Sequence, residues 1–217
     1  LERRLYPVHR LDRAASGALV LGLSSAAARG LQAALAGGGA TKEYLALVHG
    51  APRARKGEIV AAIGRHPVDR KKMTVNPLRA REARSTWDLE EAFDGASLLR
   101  VRIHTWRTHQ IRVHLTHLGH PLFGDGLYGG PRYVGRAPPE PIGRVMLHAL
   151  RLVLPHPKTG ATLALEAPIP ADFVALAERL LSWKGVPRAL VLGLPRGGVR
   201  LPGPGGCDGG GSLGNPR

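Results

Sequence analysis

Asp12 stands between two arginines in the run His9-Arg10-Leu11-Asp12-Arg13-Ala14-Ala15-Ser16-Gly17, which turns into the apolar stretch Ala18-Leu19-Val20-Leu21-Gly22-Leu23. A carboxylate at the mouth of a strand, with guanidinium neighbours, is placed to act as base or nucleophile. The same pattern also serves plain structure, because an Asp can simply close a turn or pair with an arginine. Histidines offer a rival chemistry. His104, His109, His114, His117 and His120 are close in sequence, and His114 and His117 have helical i, i+3 spacing, so a zinc hydrolase is conceivable. Against zinc, there is no cysteine pair and no carboxylate interleaved with these histidines, the nearest downstream being Asp125. No metal site is assigned. A third group is cationic: Arg65-His66-Pro67-Val68-Asp69-Arg70-Lys71-Lys72, continued by Arg79, Arg81 and Arg84. A solvated loop would look similar, but a dense positive run between two sheet segments suits a phosphate grip, with Arg70, Lys71 and Lys72 as its candidates.

These groups need elements to hold them. The apolar stretch after Gly17 reads as a first strand. Ser24-Ser25 can cap a helix that runs to Leu35, where Gly37-Gly38-Gly39 ends it. Leu31 and Leu35 then face the core, with Arg29 and Gln32 towards solvent. The next strand carries Tyr44, which alternation places on one face with Ala46 and Val48. Ala51 to Gly57 reads as a loop, Glu58 to Gly64 as a short strand and the basic run as a loop. Ala83 to Phe93 and Ser97 to Trp106 are expected to pair around Asp94-Gly95, with Leu99, Val101 and Ile103 on one face and Arg100, Arg102 and His104 on the other. Thr108 can cap a helix through Leu118. Val145 to Leu154 and Ala161 to Ala167 read as a hairpin around Lys158-Thr159-Gly160. A helix from Ala171 to about Trp183 follows, bearing Phe173, Leu176, Leu180 and Leu181.

Composition narrows the partners. The chain has 217 residues and a formal charge of +15, from 31 Lys plus Arg against 16 Asp plus Glu. That surplus favours a polyanion, because phosphates release counterions when lysines and arginines neutralise them. No apolar run approaches the ~20 residues that span a bilayer, so no membrane partner is expected. The single Cys207 fits a reducing compartment, and an intracellular setting, cytoplasmic or organellar, is expected. From Lys184 the composition shifts, with 11 Gly and 5 Pro among the last 34 residues. The division is therefore residues 1–183 as one catalytic domain and 184–217 as a disordered tail. Within the tail, Val191 to Val199 weakly resembles the opening strand and loop of some phosphoribosyltransferase-like domains. The first residue is Leu1, not Met, so a fragment, a trimmed chain or a processed product is expected.

Three ordered blocks carry a family resemblance. The Asp12 run resembles the His-Arg-Leu-Asp-x-x-Thr-Ser-Gly signature of the RluA-like pseudouridine synthases. Thr41-Lys42-Glu43-Tyr44-Leu45-Ala46-Leu47-Val48-His49-Gly50 is similar to the family's Lys-x-Tyr-x-Ala-x-Val-x-Gly strand. Arg107-Thr108-His109-Gln110-Ile111-Arg112-Val113-His114, with Gly119 to Asp125 and Tyr128-Gly129, resembles its longest signature. The resemblance implies an α+β fold: a mixed, largely antiparallel sheet with flanking helices and a basic catalytic cleft. It implies isomerisation of uridine to pseudouridine in RNA, ribosomal RNA of the large subunit being favoured and tRNA left open. No cofactor is implied, since the reaction has no redox change and no external group donor. It also implies roles: Asp12 as the carboxylate at the sugar, Tyr44 stacked on the base, and Arg107 paired with Asp12. Arg112 is the alternative for that pairing. Leu147 would pack under the base, and Arg10, His109 and Gln110 would contact substrate. The protein is expected to act as a monomer.

Departures from the pattern bear on those roles. Ala15 replaces the usual Thr, and Trp106 stands where a Gly usually precedes the Arg-Thr-His-Gln block. Family members carry several strands before the Asp block, and here only eight residues precede His9. The fold is therefore expected to lack its first strands and to leave a raw sheet edge. A catalytically silent RNA-binding remnant of the same fold is the alternative to an active enzyme.

Overall fold

A computed structural model describes residues 4–129 and 142–182; the tail 184–217, with Cys207 and the Val191–Val199 stretch, lies outside the described residues. One buried run sets the architecture. Leu45, Ala46, Leu47 and Val48 are all buried, so the strand that carries them, β4 (Thr41–His49), must be covered on both faces. It lies inside a seven-stranded sheet. Five further strands, β5 (Lys56–Val60), β9 (Arg84–Ala92), β10 (Ala96–Ile103), β11 (Leu147–Pro155) and β12 (Thr162–Glu166), give the order β12-β11-β4-β10-β9-β5, every neighbouring pair antiparallel. The seventh, the two-residue β2 (Ser16–Gly17), joins β11 in parallel. The sheet is thus mixed and largely antiparallel, and the chain is α+β.

One face is sealed by helix α3 (Ala171–Ser182). Its Phe173, Leu176, Leu180 and Leu181 pack on Leu45, Leu47, Leu98 and Phe123. Each such side chain contributes roughly 1.5–3 kcal/mol by leaving water. The other face takes helix α2 (Gln110–His117), whose Ile111 and Leu115 meet Ala46, Val48, Leu99, Val101 and Leu147. Helix α1 (Ser25–Ala36) packs Ala28, Leu31 and Leu35 against Leu152 and Leu154. Ser24 is its N-cap, its hydroxyl accepting from the Ala27 amide at 3.1 Å, and Gly37 closes it.

Several expectations change. Ala18–Leu23 is not one strand: after β2 the chain leaves the sheet and only β3 (Leu21–Gly22) pairs again, with β1 (Tyr6–Pro7). Gly17, at φ +125, makes that break, and a Cβ there would meet the Ala149 backbone at 2.3 Å. Leu19, Leu21 and Leu23 consequently remain exposed. The stretch Glu58–Gly64 divides after Val60, because β6 (Ile63–Arg65) leaves β5's sheet to centre a three-stranded one with β7 (Met73–Val75) and β8 (Ala80–Arg81). The basic run is therefore the connection of the β6–β7 hairpin: Arg65 ends β6, and residues 66–72 form the expected loop. Arg100 and Arg102 do alternate with Leu99 and Val101, but their face is not a free basic stripe. Arg102 pairs with Glu43 and Asp88, and Arg100 with Glu90 and Glu43.

Candidate active site

On the α2 side of β4 the sheet opens into a cleft of about 380 Å³ that brings together Arg10, Asp12, Lys42, Tyr44, Arg107, His109 and Leu147. Three elements converge to build it. The turn 12–15, closed by the Ala15 amide on the Asp12 carbonyl at 2.9 Å, presents the carboxylate. It is anchored downstream where the Ser16 hydroxyl meets His148 Nδ1 at 3.0 Å and the Ala18 amide donates to the Ala149 carbonyl. Strand β4 supplies Tyr44, with Ala149 opposite it on β11. Leu147, opposite Ala46, supplies an apolar floor.

The third element is the start of α2. Arg112, only 8% exposed, donates from Nε and Nη2 to the two oxygens of Asp125 at 2.7 and 2.8 Å. Its Nη1 lies 3.7 Å from Asp12 Oδ2, so one guanidinium serves two carboxylates. Tyr128 covers it, the ring centroid 4.9 Å from the guanidinium carbon. Asp125 in turn accepts from the Leu127 and Tyr128 amides at 3.1 Å. Burial alone would lower the Arg112 pKa, but the hydrogen bond and charge of Asp125, with the charge of Asp12, outweigh it and raise it. Tyr44 is pushed the other way for a phenol. Burial first, then the Asp12 charge, raise its pKa, so the hydroxyl keeps its proton.

A family model described as RNA pseudouridylate synthase matches residues 1–117. The chain belongs to that family. It is 41% identical over 171 residues to an uncharacterized RNA pseudouridine synthase of Synechocystis sp., covering 78% of this chain and 51% of that protein. It is 38% identical over 180 residues to the ribosomal large subunit pseudouridine synthase D of Haemophilus ducreyi, covering 80% and 55%. The chain spans about half the length of the curated relatives it matches. Among solved structures, Human RNA Pseudouridylate Synthase Domain Containing 1 superposes with a TM-score of 0.68 at 29% identity, over 77% of this chain and 70% of that one. Human RNA Pseudouridylate Synthase Domain Containing 4, at 23% identity and a TM-score of 0.66, shares the fold.

In this member of the pseudouridylate synthase family, one expected pairing is corrected. Asp12 meets Arg112, not Arg107. Arg107 precedes α2, its amide held by Gln110 Oε1 at 3.0 Å, and its Nε donates to the Glu82 carbonyl at 2.9 Å. The helix begins later than Thr108 suggested. His109 is the N-cap, in the left-handed region at φ 57 with no side-chain cap, which turns Arg112 towards Asp12. Such a backbone costs on the order of 1–3 kcal/mol in a non-glycine residue and persists only where surrounding contacts hold it. Here the hold is His109 Nδ1 on the Tyr128 hydroxyl at 2.7 Å. Burial, only partly offset by Asp12 and Asp125, lowers the pKa of His109.

Gln110 is also reassigned. Its carbonyl accepts from Thr105 and the Arg107 amide, and its NH2 donates to the Arg84 carbonyl and Ser85, so all four of its hydrogen bonds stay within the protein. It braces the loop and has nothing left for substrate. The remaining histidines are dispersed among separate partners: His104 on Thr86, His114 on Ser85 and the Ala61 carbonyl, His120 on the His49 carbonyl. Arg70, Lys71 and Lys72 do not line the cleft. They sit at the tip of the β6–β7 hairpin, which is tied to the site because the Met73 amide donates to the Tyr128 hydroxyl at 2.8 Å. Two residues that sequence reasoning did not assign, Asp125 and Tyr128, thus hold the centre together; both fall inside the longest signature block, which was the available signal.

Proposed function

We propose that this chain isomerises uridine to pseudouridine in RNA, with Asp12 as its catalytic carboxylate and large-subunit ribosomal RNA as substrate. The observation that carries the reading is the convergence of Asp12, Tyr44 and Leu147 in one cleft, with the carboxylate fixed by a buried arginine that is itself fixed by Asp125. The reaction breaks the bond between ribose C1′ and uracil N1, turns the base and rejoins it through C5; N1 gains a proton and C5 loses one. Asp12 serves the sugar, either by attack at C1′ or by removing the C2′ proton, and both routes need the same positioned group. Tyr44 offers a face for the loosened base, beside the apolar Leu147. Its hydroxyl starts as a neutral phenol. Part of what keeps it neutral is the Asp12 charge, which vanishes if that carboxylate becomes an ester, so the phenol yields its proton more readily late in the reaction than early. The choice of ribosomal RNA rests on the names of relatives such as that of Haemophilus ducreyi.

The test is a map of pseudouridines in cellular RNA with and without the gene, repeated with Asp12→Asn restored in its place. At least one large-subunit uridine should lose its modification without the gene, and Asp12→Asn should not restore it. Modified positions confined to tRNA would redirect the substrate. An unchanged map would leave an RNA-binding protein without turnover.

A further inference from the structure

Lys42 is a charged side chain of the cleft wall that the site described above does not use. It lies two residues before Tyr44 on β4, so both project from the same face into the cleft. Only 7% of Lys42 is exposed. Its ammonium lies over the Trp106 ring, 4.2 Å from the centroid, and among the described residues no carboxylate or carbonyl oxygen is hydrogen-bonded to it. Buried charges are ordinarily paired, because a charge withdrawn from water without a partner is strongly unfavourable. An aromatic face compensates part of that loss and supplies no counter-charge.

The neighbours cannot supply one either. From the amino-terminal segment come His9, the further cation Arg10 and Asp12, from α1 Gln32, from β4 itself Tyr44, from the loop before α2 Arg107 and His109, and from β11 Arg151. Asp12 faces Arg112, Arg107 is spent on the Glu82 carbonyl, and Arg151 pairs with Glu166. His9 is kept neutral: its Nε2 accepts from the Val20 amide at 3.1 Å, and burial, followed by the Lys42 charge, lowers its pKa to about 4. Burial likewise lowers that of Lys42 to about 8. Lys42 is therefore a cation at neutral pH for which the described residues provide no counter-charge.

We propose that Lys42, seated on Trp106, is an anion subsite in the cleft wall that takes a backbone phosphate of the nucleotide held over Asp12 and Tyr44. Two strand residues separate Lys42 from Tyr44 by roughly 6.6 Å, comparable with the reach from a base to the phosphate of its own nucleotide. A lysine suits this task as a point charge that needs no planar partner. The phosphate neutralises the ammonium while the base meets Tyr44, so binding of the correct nucleotide removes an unfavourable feature of the empty site. That the phosphate belongs to RNA rests on the function proposed above; that the subsite binds phosphate does not.

The experiment uses the full chain and inorganic phosphate as probe, titrated calorimetrically at constant ionic strength. At pH 7 phosphate should bind saturably, and Lys42→Met should weaken it about tenfold or more, the loss of one charge-assisted contact. Affinity for the unchanged protein should fall as pH rises through about 8, where Lys42 loses its proton. This second measurement needs no variant, so it holds even if Lys42→Met fails to fold. Absence of saturable phosphate binding, an affinity unaltered by Lys42→Met, or an affinity flat between pH 7 and 9 would each overturn the subsite. With substrate RNA, Lys42→Met should raise KM and leave kcat near that of the unchanged protein. A fall in kcat at constant KM would overturn the assignment too, placing the ammonium on the departing base instead. A protein without isomerase turnover whose phosphate binding still depends on Lys42 would sink the proposed function and leave the subsite standing.

Discussion

The two faces of β4 hold equally buried residues and do different work. On one, Leu45 and Leu47 lie under α3 in a closely packed apolar cluster. On the other, Ala46 and Val48 continue into Tyr44 and Lys42, and the packing ends in a cleft lined by Asp12 and the cations Arg10, Lys42 and Arg107. The first face holds the sheet together chiefly by apolar packing. The second spends buried charge to keep Asp12 still, which is stable only while every partner is present. Stability and chemistry are thus divided across one strand, a single residue step apart.

Substitutions can break that division, and the largest effect belongs to Arg112. Arg112→Met strips the cation from Asp125, which is almost wholly buried, and from Asp12. It should cost about 3–5 kcal/mol in denaturant unfolding and abolish turnover, whereas Arg107→Met should cost about 1 kcal/mol and stay active at saturating RNA. The reverse outcome would restore Arg107 as the partner of Asp12. Next comes the dry face. Leu176→Ala should cost about 2–5 kcal/mol yet leave kcat of the folded protein unaltered, measured well below its melting temperature. A loss of kcat there would mean the faces are coupled. Smaller again is Tyr44→Ala, which should weaken substrate RNA by about 1–3 kcal/mol for one lost stacking contact while Tyr44→Phe binds normally. Equal affinities would make Tyr44 an ordinary packing residue. Smallest is the hairpin tip. Replacing Arg70, Lys71 and Lys72 by Ala should flatten the slope of log affinity against log salt by up to about 0.7 per lost phosphate contact, without touching kcat. An unchanged slope would mean the hairpin points away from RNA.

Local chemistry made much of this readable in advance. Alternation set Tyr44 beside Ala46 and Val48, Ser24 marked the start of α1, and the Asp94-Gly95 and Lys158-Thr159-Gly160 turns marked two hairpins. What escaped depends on contacts between distant segments. Arg107 and Arg112 are both arginines in one motif; the choice between them is made by the left-handed His109, held by Tyr128, and by Asp125 arriving from the next loop. The basic run is a loop as read, but that the strands flanking it form a separate three-stranded sheet shows in no local pattern. Arg100 and Arg102 looked like a free basic face because their counter-ions are on two neighbouring strands.

The parallel pairing of Ser16-Gly17 with His148-Ala149 has a consequence in time. The Ser16–His148 contact closes a separation of 132 residues, among the widest in the fold, and it pins the turn that carries Asp12. Long closures of this kind form late, after local hairpins and helices have made nearer contacts favourable. The carboxylate is made long before β11 and positioned only after it. Until β11 has emerged and docked, the nascent chain carries its signature residues in an unassembled site, so it is born inert beside the very class of RNA it is proposed to modify.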